Sequence, residues 1–328
     1  MSDLNLPSTS LHADALGEPV CGMTWGHSGV RGTWTTPAAE RSMAAMSDLN
    51  LNWVTLAYAA VQATAQSTTI PFREAPSLSD DEVCAVVGRA RAQGLKVCLK
   101  PMVNVADGTW RAYIGFFDWD VPGEPTWAEW FASYRQYIVH QARLAAELEV
   151  DLFCIGCEMV RTDPQESLWR QLIAEVRAVY DGPITYNCDK YQEDHISWWD
   201  AVDVISASGY YPSGEWEEQL DRIEAVVERE RKPFCFLEAG CPSRDGAAAR
   251  PNDWTLLGAP NERVQADYLD EMMTAAARRP WVGGFMLWDW PAELYDVAQA
   301  ARNDDYCIYG KEAAGVVAEH YRRALSSG

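Results

Sequence analysis

Two glutamates, Glu158 in DLFCIGCEM and Glu238 in PFCFLEAGC, each follow an apolar, strand-like run. An ordinary surface acid would not follow a buried strand. If both strands belong to one barrel, the carboxylates meet at a single mouth. Such a pair can divide the work of acid/base catalyst and nucleophile, which is the chemistry of glycoside hydrolysis. The competing readings are salt-bridged strand ends and metal ligands. The five histidines (His12, His27, His140, His195, His320) show no HxH, HxxxH or HExxH spacing, so a metal is not expected, and hydrolysis by two carboxylates needs no other cofactor. Cys154 and Cys157 form a CxxC, but on a regular strand a separation of three sends side chains to opposite faces. No second CxxC follows, and these thiols are expected to be structural.

The elements that must position the two acids alternate along the chain. Strands are expected at 20–25, 53–61, 96–105, 151–157, 183–188, 202–211, 233–240 and 282–290. Helices are expected at 37–49, 79–94, 127–149, 166–180, 216–231, 262–279 and 311–325. Their starts carry N-cap residues, as at Thr36 before Pro37 and at Ser79 before three acids. Eight strands alternating with helices predict one (β/α)₈ barrel over 17–328, after a loose segment 1–16. A doubly wound open sheet is the alternative, and it lacks a glycine-rich phosphate loop after any strand.

The 328 residues, 48% hydrophobic, suffice for one large core. A formal charge of −21 argues against nucleic acid and anionic membranes as partners and is compatible with a neutral substrate. Nine cysteines, several inside apolar runs, suggest reduced thiols and a cytoplasmic location. The N-terminus has neither a basic start nor an apolar core, so it does not resemble a secretory signal. No apolar stretch reaches the roughly 20 residues of a membrane span.

A barrel places its site at the C-terminal strand ends. In order, these carry Trp25, Tyr58, Lys100 with Asn104, Glu158, Asn187 with Asp189, Tyr210 with Tyr211, Glu238, and Trp288 with Trp290. Aromatic faces, amides and charges of this kind suit sugars, whose C–H faces stack on rings and whose hydroxyls need hydrogen bonds. Trp288 and Trp290, two apart, are expected to share a face, with at least one of them in the site. Trp53, Trp169 and Trp281 are expected in the core.

Glutamates on strands four and seven resemble glycoside hydrolase clan A, the retaining "4/7 superfamily", and within it family 113, the β-mannanases. The resemblance covers about residues 22–320. It rests on NWVTLAYAAVQ with STTI, GLKVCLKPMVNVADGTWR, FCIGCEM, WWDAVDVISASGYYP, FLEAGCPSR, PNDW, WVGGFMLWDW and GKEAAGVV in that order. It implies Glu158 as general acid/base, Glu238 as nucleophile, Tyr210 as a hydrogen-bond donor to the nucleophile, and Trp288 as the platform beneath the sugar. Lys100, Trp110, Arg111 and Asn187 would line the cleft. The implied substrate is β-1,4-mannan or manno-oligosaccharide. Other β-linked sugars, transglycosylation and a non-catalytic carbohydrate-binding barrel are the alternatives. Two positions depart from pattern: many clan A enzymes have Asn where Cys157 stands, and the family has His where Met102 follows LKP.

Overall fold

The computed structural model describes residues 16–327. Eight parallel strands pair in chain order and close on themselves: β1 (Val20–Trp25), β2 (Trp53–Gln62), β3 (Lys96–Val105), β4 (Leu152–Cys157), β5 (Ile184–Cys188), β6 (Val204–Gly209), β7 (Phe234–Ala239) and β8 (Val282–Trp290). This is the expected (β/α)₈ barrel; closure excludes the open sheet. The helices are α1 (Pro37–Ala44), α2 (Asp80–Ala92), α3 (Trp127–Glu147), α4 (Glu166–Arg177), α5 (Trp216–Glu230), α6 (Glu262–Ala277) and α7 (Glu312–Ser327). After β5 the chain makes only a short 3₁₀ turn, Trp199–Ala201.

Local chemistry sets the helix boundaries. Thr36 caps α1 by accepting from the Ala39 N–H, and Pro37 occupies its first turn. Ser79 with Glu82, and Thr126 with Glu129, form reciprocal capping boxes on α2 and α3. Helix α1 stops at Ala44, short of the expected 49. The following Ser47–Leu49 is a 3₁₀ turn and Asn50 is left-handed. Ser, Asp and Asn side chains compete for backbone groups and disfavour a helix interior.

Side chains divide into an outer layer between strands and helices and an inner column. The column's floor is Trp53, Cys98, Leu152, Cys154, Cys235 and Met286, joined by Leu16. Leu16 is thus buried, while residues 1–15 of the expected loose segment lie outside the described residues. Above the floor sit Ala57, Met102, Cys157, Tyr210, Trp288 and Tyr306. Trp53, Trp169 and Trp281 are all in the core, as expected.

Three strand pairs lose register near the mouth. The breaks fall between Cys154 and Cys157 on β4, opposite Ala207/Ser208 on β7, and opposite Met23/Trp25 on β8. A bulge adds one residue to a strand and resets its alternation. Cys154 and Cys157 therefore both face inward, correcting the opposite-face expectation. Likewise Trp288 points inward while Trp290 joins the outer layer, so these two do not share a face. All nine cysteines are free. No helix among the described residues is long and apolar enough to cross a membrane.

Candidate active site

A cavity of about 880 Å³ opens at the C-terminal ends of the strands. Glu158, Glu238, Trp110, Arg111, Tyr210 and Trp288 all line it. Both glutamates are buried, at 7% and 4% exposure, so their ionisation answers to neighbours rather than to water.

Glu238 is enclosed by donors. Its Oε1 accepts from Lys100 Nζ at 2.6 Å and from Cys157 Sγ at 3.3 Å, and its Oε2 accepts from Tyr210 OH at 3.1 Å. Burial alone would raise this carboxyl. The charges of Lys100 and Arg111, with the hydrogen bonds from Lys100 and Cys157, outweigh burial and hold it below its ordinary value. Lys100 is itself fully buried, which works against its charge, yet the net shift is upward because the adjacent Cys157 and the Glu238 carboxylate favour the ammonium. A second bond from Nζ to Asn187 Oδ1, at 2.9 Å, fixes its position.

Glu158 follows β4 with φ of 51°, in the left-handed region. The Glu158 N–H donates to Asn187 O at 2.8 Å, which holds the turn. Its Oε2 accepts from Arg111 Nη1 at 3.1 Å and from Trp110 Nε1 at 3.4 Å; its Oε1 accepts from Ser208 Oγ at 2.7 Å. Burial and the Glu238 charge raise this carboxyl, and Arg111 and Ser208 only partly offset them. The guanidinium is split between partners, since Arg111 Nη2 also donates to Asn104 Oδ1 at 2.7 Å. One cavity thus holds two carboxylates of opposite tendency, one favoured as the anion and one as the acid.

Several expected residues sit elsewhere. Trp25 and Trp290 are buried in the outer layer, where their indole N–H groups donate to Ser42 Oγ and Ser42 O, so neither reaches the cavity. The bulge opposite Met23/Trp25 is the reason for Trp290; Trp25 faces the helices because it alternates with inward-facing Thr24, a polar residue that the strand-end rule passed over. Lys100 and Asn187 lie beneath the carboxylates at 0% exposure and support them instead of lining the cleft. Tyr58 and Tyr211 point outward, bonded to Gln141 and Glu193.

Other residues were given no site role from the sequence, although Asn252, Asp253 and Trp254 stand in the PNDW motif. Ser208 joins the two halves, donating to Glu158 while accepting from Asn187 Nδ2 at 2.9 Å. Its signal was a small polar residue inside an apolar strand. His27 packs on Trp288 with ring centroids 4.4 Å apart, and its Nδ1 lies 2.6 Å from Asp289 Oδ2. Asn252, Asp253, Trp254 and Thr255 supply one wall. Neither His27 nor this loop lies on a strand, so strand-end logic could not reach them. Asp189 also lines the cavity; burial first, then the Glu158 charge, raise its carboxyl.

The model of glycoside hydrolase family 113 matches residues 23–311. The chain belongs to this family. A solved family 113 β-1,4-mannanase is 50% identical, covering 93% of this chain and 99% of its own, with a TM-score of 0.92. The family 113 β-mannanase of Alicyclobacillus acidocaldarius, solved with ManMIm, is 42% identical over 94% and 98% of the two chains, with a TM-score of 0.91. A β-glucuronidase of Dictyoglomus thermophilum, at 16% identity and a TM-score of 0.62, covers 93% of this chain and 51% of its own and shares the fold alone. No curated protein matches. The chain is therefore a glycoside hydrolase, and its two departures from pattern have structural meaning. Cys157, where many clan A enzymes carry Asn, donates to Glu238. Met102 packs with Cys157, Tyr210 and Trp288 below the cavity.

Proposed function

We propose that this enzyme hydrolyses β-1,4-mannosidic bonds in mannan or manno-oligosaccharides with retention, Glu238 being the nucleophile and Glu158 the general acid/base. The observation that carries the assignment is the opposed tendency of the two carboxylates within one cavity. Glu238, kept anionic by Lys100 and Tyr210, attacks the anomeric carbon while Glu158 gives its proton to the leaving oxygen. The glycosyl ester that forms removes the Glu238 charge. That charge was one reason Glu158 held its proton, so its acidity rises as the second step begins. Glu158 then takes a proton from the water that opens the ester.

Trp288, on the cavity floor and braced by His27, supplies an apolar face for the sugar at the cleavage point. Trp110 and Arg111 orient Glu158 from the side of the leaving group. The choice of mannan rests on the β-1,4-mannanase and β-mannanase relatives at 50% and 42% identity. The test is incubation with mannotriose through mannohexaose and a panel of nitrophenyl glycosides, with proton NMR of the first-formed anomer. β-Mannose reducing ends appearing first support the proposal. An α-anomer first overturns retention, faster cleavage of gluco- or xylo-oligosaccharides overturns the substrate, and binding without turnover overturns the whole reading.

A further inference from the structure

A second groove, of about 750 Å³, lies on the same face of the barrel, between the loop after β3, the loop after β4 and the loop after β5. We propose that it binds the distal sugars of the same β-linked glycan whose nearer units occupy the catalytic cavity, an inference that rests on the β-mannan reading. Three observations carry it.

The groove adjoins the cavity across a single wall. Tyr113 lines the cavity and Arg161 lines the groove, with the guanidinium carbon 5.5 Å from the Tyr113 ring centre. The Arg161 stem lies against Gly115, where an added Cβ would come within 2.9 Å of Arg161 Cδ, and the Arg161 N–H donates to Ala112 O. A chain leaving the cavity past Tyr113 meets this groove next.

Its surface has the chemistry of a sugar site. Tyr113, Phe117 and Trp119 are 51%, 48% and 68% exposed on one short loop, far more open than an apolar ring buried for packing. Phe117 lines the groove, and Trp119 stands beside it at 5.8 Å between ring centres. The loop is tied down rather than loose: Asp118 Oδ1 accepts from Trp127 Nε1 at 3.2 Å and from Gln165 Nε2 at 3.1 Å.

The groove also holds a polar atom without a partner. Asp163 lines it at 3% exposure; its Oδ1 accepts from Tyr186 OH at 2.5 Å, and its Oδ2 is buried with no hydrogen-bond partner. Burial raises this carboxyl, and an unpaired buried oxygen of this kind calls for a partner that can donate or accept, as a sugar hydroxyl does. With Asp118 and Glu124 beside Arg161 in the lining of a protein of net charge −21, a neutral, hydroxyl-rich ligand fits better than an anionic one.

The test titrates the full-length Glu238→Gln protein calorimetrically with mannotriose and mannohexaose, with and without Trp119→Ala or Phe117→Ala. Both rings are exposed, and an unchanged Tm verifies the fold of each variant. The expected result is a mannohexaose Kd raised about five- to ten-fold by either change, with mannotriose within about two-fold. An unchanged mannohexaose Kd overturns the inference, as does equal weakening of both ligands. So does unaltered sugar binding accompanied by loss of a concentration-dependent dimer in sedimentation, which would assign the rings to a second copy of the chain. Failure of the unsubstituted enzyme to hydrolyse any manno-oligosaccharide removes the β-mannan reading and this inference with it. Normal hydrolysis with a length-independent effect removes this inference alone.

Discussion

Glu238 and Glu158 share a residue type, a cavity and nearly the same depth, yet their surroundings differ in kind. On the strand-seven side a fully buried lysine, a thiol and a phenol all aim at one carboxylate. On the strand-four side an arginine is divided between Glu158 and Asn104, and the remaining donors, Ser208 and Trp110, are neutral. At Glu238 the charges of Lys100 and Arg111 together outweigh burial and favour the anion; at Glu158 burial and the like charge of Glu238 outweigh Arg111. The difference teaches that the roles of paired acids are written in their neighbours, not in the acids.

The comparison breaks most visibly at Glu238, the proposed nucleophile. Glu238→Ala is expected to lower turnover by about 10⁵-fold, and azide to restore part of it by forming a glycosyl azide of inverted configuration. Substantial residual turnover, or a rescue product of retained configuration, would reverse the two roles. Glu158→Ala should cost about 10²- to 10⁴-fold on manno-oligosaccharides, whose leaving groups need a proton. It should cost much less on nitrophenyl glycosides, which do not, so equal losses on both substrates would refute the acid role.

Two further variants sharpen the contrast through pH. The proposed roles require Glu238 ionised and Glu158 protonated, so Glu238 should govern the acid limb of kcat/KM and Glu158 the alkaline limb. Lys100→Met strands a buried carboxylate, with an expected loss of about 10²-fold. It removes an influence that lowers the Glu238 pKa, so the acid limb should move to higher pH, and by more than the alkaline limb moves. Ser208→Ala should cost about ten-fold. It removes a bond that lowers the Glu158 pKa, so the alkaline limb alone should move to higher pH. Identical displacement of both limbs by both variants would show that the two halves are not electrostatically separate.

Much of this was legible in the residues. Apolar runs and caps marked eight strands and seven helices, and a charged residue ending a buried run marked both glutamates. The misplacements have one physical source. Period-two reasoning assumes an unbroken strand, whereas the strands around the mouth are bulged. That is why Trp290 was expected beside Trp288, and why Cys157, expected away from Cys154, turns out to touch Glu238. Trp25 shows a different limit, since the last residue of a strand can face either layer. Lys100 and Asn187 were found but given the wrong contact, because sequence shows which strand carries a residue and not how deep in the barrel it sits. His27 and the Asn252–Thr255 wall belong to loops, where no periodicity exists to be followed.

The left-handed backbone at Glu158 makes this residue locally unwelcome. A non-glycine residue at φ of 51° carries a conformational penalty of about 1–3 kcal/mol, and asparagine tolerates that region far better. Burial of an acid beside a like charge adds to the burden. Selection for persistence alone would therefore discard this glutamate: Glu158→Asn should melt at a higher temperature than the parent while losing its proton donor, and a lower Tm would contradict this. The enzyme gives up some robustness to keep that side chain aimed across the mouth.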